Sequence, residues 1–244
     1  MTYSTDGRIP GAYIMRPGYC VWGMFQVEFE AGKNAVRLIR GAETGIEKPL
    51  ILLLAGDSDG DGEKFAVPGA DVAVVSGMDW NRDLSPWPAD RAFARGEDFA
   101  GGADAYLSEL LEEVLPAIHR ALGRVPAVHG IAGYSLAGLF AVYAAWKVPV
   151  FSRAASMSGS MWYDGFLDFL RENPPAGGIA RCYFSLGSKE SATKNARIAA
   201  VGKCTEEAAE ILRGYGADVT LEWNPGNHFT DVPWRIGKGL KALV

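Results

Sequence analysis

The stretch His129-Gly130-Ile131-Ala132-Gly133-Tyr134-Ser135-Leu136-Ala137-Gly138-Leu139-Phe140 sets one serine where it could act as a nucleophile. An apolar run ends in Gly133-Tyr134, and a helical run starts directly after Ser135, so the serine falls at a sharp strand-to-helix bend. Such a bend crowds the backbone, and the residues two before and two after must be small. Gly133 and Ala137 are. The turn lifts the hydroxyl above the sheet edge. There the positive end of the following helix and the backbone N–H of Leu136 would face an oxyanion. Alanine in Gly-x-Ser-x-Ala keeps the smallness of a second glycine but not its backbone freedom. Taken alone, the motif fits a surface serine in an ordinary loop as well as it fits attack on a carbonyl.

A nucleophilic serine needs a base, and the chain has three histidines. His119 falls in an amphipathic helix, off its apolar stripe, and reads as a solvated surface residue. His129 opens the strand that leads to Ser135, at the wrong end of the sheet. His228 lies in Pro225-Gly226-Asn227-His228, just past the carboxyl end of the last strand, and is the expected base. A histidine in this role needs an orienting acid. Glu190 follows the strand Cys182–Leu186 through Gly187-Ser188-Lys189, and Asp164, after the preceding strand, is the alternative. Asp231 is expected to cap the final helix, and Asp218 to lie on the opposite rim. An oxyanion site needs two donors. Leu136 supplies one, and Gly56 or Asp57, after the strand Leu50–Ala55, the other. The loop Asp57-Ser58-Asp59-Gly60-Asp61-Gly62-Glu63 is spaced like the start of a calcium loop. Its twelfth position is Pro68 where a bidentate glutamate is required, and a strand leads into it, so no metal is expected.

These residues can meet only if a sheet brings them to one edge. Tyr19–Phe29 alternates and reads as a strand or hairpin arm, and Ala35–Ile39 as a second strand. Leu50–Ala55 is continuously apolar, as a strand buried on both faces must be, and Val72–Val75 repeats the theme. Met78–Gly102 is polar and aromatic, and too long for a plain connection. Ala103–Leu122 is an amphipathic helix whose stripe holds Leu107, Leu110, Leu111, Val114, Leu115, Ile118 and Leu122, with a kink expected at Pro116. Strands at Val128–Ala132, Ala154–Ser158, Cys182–Leu186 and Val219–Trp223 alternate with helices at Ala137–Lys147, Trp162–Arg171, Thr205–Leu212 and Pro233–Leu243. Gly214 should lie past the end of the third of these helices. The alternation predicts an α/β protein with a mainly parallel sheet. Sites in such sheets lie outside the carboxyl ends of the strands. No linker or repeat divides the chain, so 1–244 reads as one domain, with 1–45 supplying N-terminal strands to the same sheet after an irregular lead-in over residues 1–18.

Composition sets outer bounds. The chain has 244 residues with 48% hydrophobic, 22% charged and a net charge of -5, a globular balance that disfavours nucleic acid and anionic membranes as partners. Neither a signal pattern nor a membrane-spanning run is seen. Cys20, Cys182 and Cys204 are odd in number and far apart, which suits free thiols in a reducing cytoplasm.

The order Ser135, Glu190, His228 is that of the α/β-hydrolases. Gly133-Tyr134-Ser135-Leu136-Ala137-Gly138-Leu139-Phe140 resembles the elbow of the esterase D-like esterases, a group that includes enterobactin and other siderophore esterases, feruloyl-type esterases and S-formylglutathione hydrolase. Asn81-Arg82-Asp83-Leu84-Ser85-Pro86 resembles the Arg-Asp-x-Ser-Pro segment of the siderophore-esterase branch, and Gly101-Gly102-Ala103-Asp104-Ala105-Tyr106-Leu107 its glycine-rich lead into a helix. Leu186-Gly187-Ser188-Lys189-Glu190 and Pro225-Gly226-Asn227-His228-Phe229 resemble its acid and histidine loops. The similarity runs from about Leu50 to the C-terminus. Ala137 stands where the branch usually has glycine, and some relatives work with a weak or absent acid, which bears on Glu190. The resemblance implies an α/β-hydrolase fold with three α/β/α layers. It implies a serine hydrolase of small-molecule carboxylic esters that works through an acyl-enzyme and needs no metal or organic cofactor. Homodimers are compatible with it. Acyl transfer, peptide hydrolysis or a silent binding module on the same fold are the alternatives. Trp80, Arg82, Trp87, Trp162 and Trp234 fall after strand ends and could wall a substrate pocket, or serve as ordinary packing.

Overall fold

A computed structural model describes residues 20–21, 24–40, 47–56 and 65–244. The lead-in over residues 1–18 and the acidic loop containing Asp57, Asp59 and Asp61 lie outside these residues.

The chain enters through β1 (Cys20–Val21), β2 (Met24–Ala31), β3 (Asn34–Arg40), β4 (Leu50–Leu54) and β5 (Asp71–Ser76). The connection that follows is not structureless. It holds α1 (Trp80–Asp83) and two short strands, β6 (Pro88–Ala89) and β7 (Phe99–Ala100), that pair with each other. Next come α2 (Ala103–Glu109) and α3 (Leu115–Leu122), then β8 (His129–Tyr134), α4 (Leu136–Lys147) and β9 (Phe151–Met157). The last third holds α5 (Phe166–Glu172), β10 (Arg181–Gly187), α6 (Ala196–Ala199), α7 (Val201–Gly214), β11 (Asp218–Asn224) and α8 (Val232–Ala242).

Among the described residues the main sheet runs β1-β2-β3-β5-β4-β8-β9-β10-β11. The pairings from β5 to β11 are all parallel, and those joining β1, β2, β3 and β5 are antiparallel. Every residue of β4 and β8 is buried, because helices cover both faces. On one face, α2, α3, α4, α5 and α7 close over Leu52, Leu54, Ile131, Ala154 and Phe184. On the other, Ile236, Leu240 and the following Leu243 pack over Ile51, Leu53, Ala132 and Met157. The result is the three-layer α/β/α arrangement that the alternating elements imply. Among the described residues no helix is long and apolar enough to cross a membrane.

Some local expectations shift. The helix over Ala103–Leu122 is broken into segments ahead of Pro116. A π-helical turn, Leu110–Val114, separates α2 from α3, and Pro116 becomes the second residue of α3. One wide turn relieves the proline before it arrives. It also rotates the apolar stripe, which leaves Leu111 only half-buried while Leu110 and Val114 are buried. The helix read from Trp162 begins only at Phe166, since Gly165 (φ 76°) turns the chain immediately before it. Gly214 is the last residue of α7, and Gly216 (φ 90°) makes the reversal. Asp231 does stand at the N-cap of α8, but in a left-handed conformation (φ 51°) and without a side-chain cap bond.

His119 is not a solvated surface residue. The carboxyl end of α3 packs over the amino end of β8, and Nε2 of His119 lies 2.9 Å from Nε2 of His129, so one ring donates and the other accepts. Burial first, and then His119 and Arg124, push His129 down to about 4, and burial also lowers His119. Between the usual 6.5 and about 4, the unfolded chain therefore takes up a proton that the folded His129 refuses. The stability this residue confers is full above that window and is lost as pH falls through it, by on the order of 1–3 kcal/mol. The midpoint of thermal unfolding should fall steeply across this window, and His129→Gln should flatten the slope. Equal slopes in both proteins would show that the pair does not set the acid stability.

Candidate active site

Strand register places the candidate residues. Leu54 pairs with Gly133, so the chain leaves β4 towards Gly56 beside the strand end that leads to Ser135. Tyr134 pairs with Met157, and Gly187 pairs with Asn224. Residues just past β8, β9, β10 and β11 thus gather at one rim, the carboxyl edge of the parallel sheet.

Ser135 sits at the bend with φ 58° and ψ -121°, a conformation that non-glycine residues rarely hold. The surroundings fix it. Its N–H donates to Met157 O at 3.0 Å, and its carbonyl accepts from the N–H groups of Gly138, Leu139 and Ser160 at 3.0, 3.2 and 3.1 Å. A Cβ on Gly133 would collide with Ala137 O and come within 2.7 Å of the Ala137 Cβ. The need for a small residue at 133 is therefore literal, and a methyl at Ala137 is already accommodated. Leu136 is the first residue of α4, so its N–H has no helical acceptor and points out of the helix start. Gly56 is half-buried just past the end of β4, and Asp57 lies outside the described residues.

The structure brings Ser135, His228 and Glu190 into one hydrogen-bonded relay. His228 Nε2 is 3.1 Å from Ser135 Oγ, and His228 Nδ1 is 2.9 Å from Glu190 Oε2. The serine is half-buried, the imidazole is about one-third exposed, and the carboxylate side chain is only 3% exposed. Asp164, the alternative acid, is instead exposed and ion-paired to Arg197 at 2.8 Å. Burial pushes the Glu190 carboxyl up, but hydrogen bonds from His228, Ser158 and the Gly187 N–H outweigh it and hold the group below the ordinary carboxylate range. The balance favours the ionised form of Glu190, which can accept the hydrogen bond from Nδ1 of a neutral imidazole.

Three residues that the sequence pattern does not mark complete the site. Ser158, at φ 49°, places its Oγ 2.7 Å from Glu190 Oε1. Tyr134 donates its hydroxyl to the His228 carbonyl at 2.7 Å. Arg235, on α8, is fully buried and lies 3.1 Å from Glu190 Oε1. Tyr134 adjoins the serine in the elbow motif, which is a hint. Arg235 shows only as a charge on an otherwise amphipathic helix.

The tryptophans that could wall a pocket are engaged mainly in packing. Trp87 donates to Asp164 O at 2.8 Å and lies 5.9 and 5.7 Å from the Tyr163 and Phe169 rings. Trp162 is half-buried beneath the Arg197 guanidinium, 5.3 Å away, and 6.4 Å from Phe99. Trp80 opens α1 and packs on the main core, and Arg82 is engaged by Asp83 and Asp79. Trp234 is exposed on α8 under the Lys238 ammonium at 4.4 Å. Among the described residues no group of three or more histidine, cysteine or acidic side chains is placed to hold a metal.

Residues 60–228 match the family described as Putative esterase. The chain belongs to that family. Membership supports ester hydrolysis as the reaction class. The chain is also 31% identical over 137 residues to the uncharacterized protein YbbA of Bacillus subtilis (strain 168), a match covering 55% of each. Among solved structures it resembles an IroE-like serine hydrolase from Shewanella oneidensis, with 16% identity, a TM-score of 0.68, and coverage of 94% of this chain and 79% of that one. It also resembles the enterobactin and salmochelin hydrolase IroE, with 16% identity, a TM-score of 0.69, and coverage of 91% and 96%. At such identities these likenesses show the fold, that of the α/β-hydrolases.

Gly133→Ala in this esterase-family chain should be destabilising by about 2 kcal/mol or more in urea titration, because its methyl has no space against Ala137. Wild-type stability in that variant would mean that the elbow is looser than described.

Proposed function

We propose that the protein is a serine esterase that cleaves small-molecule carboxylic esters through an acyl-enzyme. The observation that carries this reading is the relay Ser135 Oγ–His228 Nε2 and His228 Nδ1–Glu190 Oε2, at 3.1 and 2.9 Å. As Ser135 Oγ attacks the carbonyl carbon, its proton passes to His228 Nε2. The carbonyl oxygen becomes an oxyanion beside the Leu136 N–H and the start of α4, with Gly56 or Asp57 proposed as the second donor. Collapse breaks the C–O bond to the alcohol, which leaves with the proton from His228. His228 then takes a proton from water, the hydroxide attacks the acyl carbon, and Ser135 recovers its proton as the acid departs. Glu190, ionised throughout, holds the imidazole in the tautomer that presents a bare Nε2 to the serine.

The substrate class is a carboxylic ester. Enterobactin and salmochelin, the compounds that IroE is named for hydrolysing, belong in the first substrate screen beside short acyl and aryl esters. Trp162 and Trp87 on the rim are suited to the apolar part of such a ligand.

A fluorophosphonate probe should label Ser135, and p-nitrophenyl ester turnover should fall by roughly 10⁴-fold or more in Ser135→Ala and in His228→Ala. Glu190→Ala should lose less, since orientation rather than the nucleophile is removed. Turnover surviving in Ser135→Ala, with no label on that residue, is the result this reading does not withstand. Products formed with competing alcohols would reveal acyl transfer if it dominates.

A further inference from the structure

We infer that Arg235 is a positioning residue of the site: a buried cation on α8 that holds one oxygen of Glu190 so that the other is reserved for His228. The inference rests on the relay proposed above, and it concerns a residue that touches neither the serine nor the imidazole ring.

The two carboxylate oxygens are treated differently. Oε2 meets His228 Nδ1 at 2.9 Å. Oε1 receives the Gly187 N–H at 2.6 Å, the Ser158 hydroxyl at 2.7 Å and Arg235 Nη1 at 3.1 Å. The same Nη1 lies 2.9 Å from both Ser158 Oγ and Tyr134 Oη. Since Tyr134 donates onward to the His228 carbonyl, the guanidinium is tied to the base along two routes, through its acid and through its backbone. Arg235 Nη2 adds a bond to Pro225 O, at the root of the histidine loop, at 3.2 Å. One planar cation therefore connects residues at the ends of β8, β9, β10 and β11.

The backbone is shaped to admit this cation. A Cβ on Gly187 would lie 2.5 Å from Arg235 Nη2, so only glycine leaves room there. Gly239, one helical turn after Arg235, has no space for a Cβ against Met157 of β9, which seats α8 tightly on the sheet. Ser158 holds a left-handed conformation that a non-glycine residue adopts only under constraint, and its hydroxyl is spent entirely inside this cluster. A buried arginine facing a single carboxylate is costly, and removing it leaves that carboxylate unpaired. Here the paired state fixes a geometry.

Among the described residues, the charged and titratable groups around the acid and base are few. Tyr134 faces them from β8, Glu190 itself comes from the loop after β10, and Arg235 comes from α8. Tyr183 of β10 is paired with Glu222 of β11, which is held in turn by Lys238 of α8, and Asp231 in the histidine loop is exposed. Removing the cation leaves Glu190 as the uncompensated charge beside His228. That favours the protonated imidazole, so the base should titrate at a higher pH.

The test is ester turnover as a function of pH in the full chain for Arg235→Gln, Arg235→Lys and Tyr134→Phe, beside Ser135→Ala, with circular dichroism and thermal midpoints for each. Arg235→Gln should lower kcat/KM by about 10²-fold, the scale of a misplaced catalytic group. Its acid limb should move up by about half a unit to one unit, because a positive charge that disfavours the imidazolium is lost. Arg235→Lys should return the acid limb towards wild type while recovering only part of the rate, because an ammonium cannot reproduce the fork. Should Arg235→Gln fail to fold, Arg235→Lys and Tyr134→Phe decide, and both should reduce kcat more than they change KM. A folded Arg235→Gln with the wild-type acid limb, or wild-type kcat in both other variants, overturns the inference. Activity retained in Ser135→Ala overturns the underlying relay instead, so the two failures are separable.

Discussion

The Glu190 carboxylate is the constraint on which the rest of the site depends. It is nearly inaccessible to water, yet it must stay charged and aimed. A buried carboxylate without partners would neutralise, and a neutral acid could not hold the imidazole tautomer that leaves Nε2 free to accept. Each element around it can be read as a way of keeping that charge where it is. The strand end gives the Gly187 N–H, the β9 turn gives Ser158, α8 gives Arg235, and the last loop gives His228. The sheet supplies the framework, because parallel strands deliver all their carboxyl ends to one edge. β8 and β11 are separated by two strands, so the serine and histidine meet only because the β11 loop reaches back over β10 and β9. The bond from Tyr134 to the His228 carbonyl pins that loop at its far end.

Backbone strain marks the same place. The described non-glycine residues with positive φ are Ser135, Ser158 and Asp231. Ser135 and Ser158 follow adjacent strands, and each is held by a backbone bond to the next strand: Ser135 N–H to Met157 O at 3.0 Å, and Ser158 N–H to Ser185 O at 2.7 Å. Asp231 closes the histidine loop, where its carbonyl accepts from the Arg235 N–H at 3.0 Å. Left-handed backbone at a non-glycine residue costs on the order of 1–3 kcal/mol and persists only where the surroundings over-determine it. Ser158 carries its side chain directly to Glu190, Ser135 is joined to it through His228, and Asp231 sets the start of the helix that carries Arg235.

Much of this was legible in the sequence, for reasons that can be stated residue by residue. Leu50–Leu54 could only be a strand buried on both faces, and strand ends in an open parallel sheet share one rim. Together these statements select Ser135, Glu190 and His228 over His129 and Asp218. Other features were not legible. His119 looked solvated because helical periodicity describes one helix, whereas its partner His129 is brought in by a strand that packs beneath. Asp164 and Glu190 were not separable by position alone, since both follow strand ends; what separates them is which loop turns inward, and that depends on Ser158 and Gly187. Arg235 was invisible because an arginine on an amphipathic helix ordinarily belongs to water. Only the close seating of α8 at Gly239 puts it inside.

The loops beyond the relay follow a different physical logic. The connection between β5 and α2 is long, but its polar groups are spent on neighbouring loops. Arg197 donates to the carbonyls of Asp90 and Arg91 at 2.9 and 3.3 Å, Asn195 donates to Ala92 O at 2.6 Å, and the Tyr163 hydroxyl donates to Trp87 O at 2.5 Å. Backbone carbonyls satisfied in this way fix the loop as secondary structure would. Trp87 then locks edge-on against Tyr163, and Arg197 covers one face of Trp162. A connection tied at so many points is held in one arrangement without regular secondary structure. The buried cluster holds Ser135, His228 and Glu190 against the sheet, while cross-ties hold the neighbouring loops to one another. The two regions meet at Ser160, whose N–H donates to Ser135 O at 3.1 Å and whose carbonyl accepts from the Tyr163 N–H at 2.9 Å.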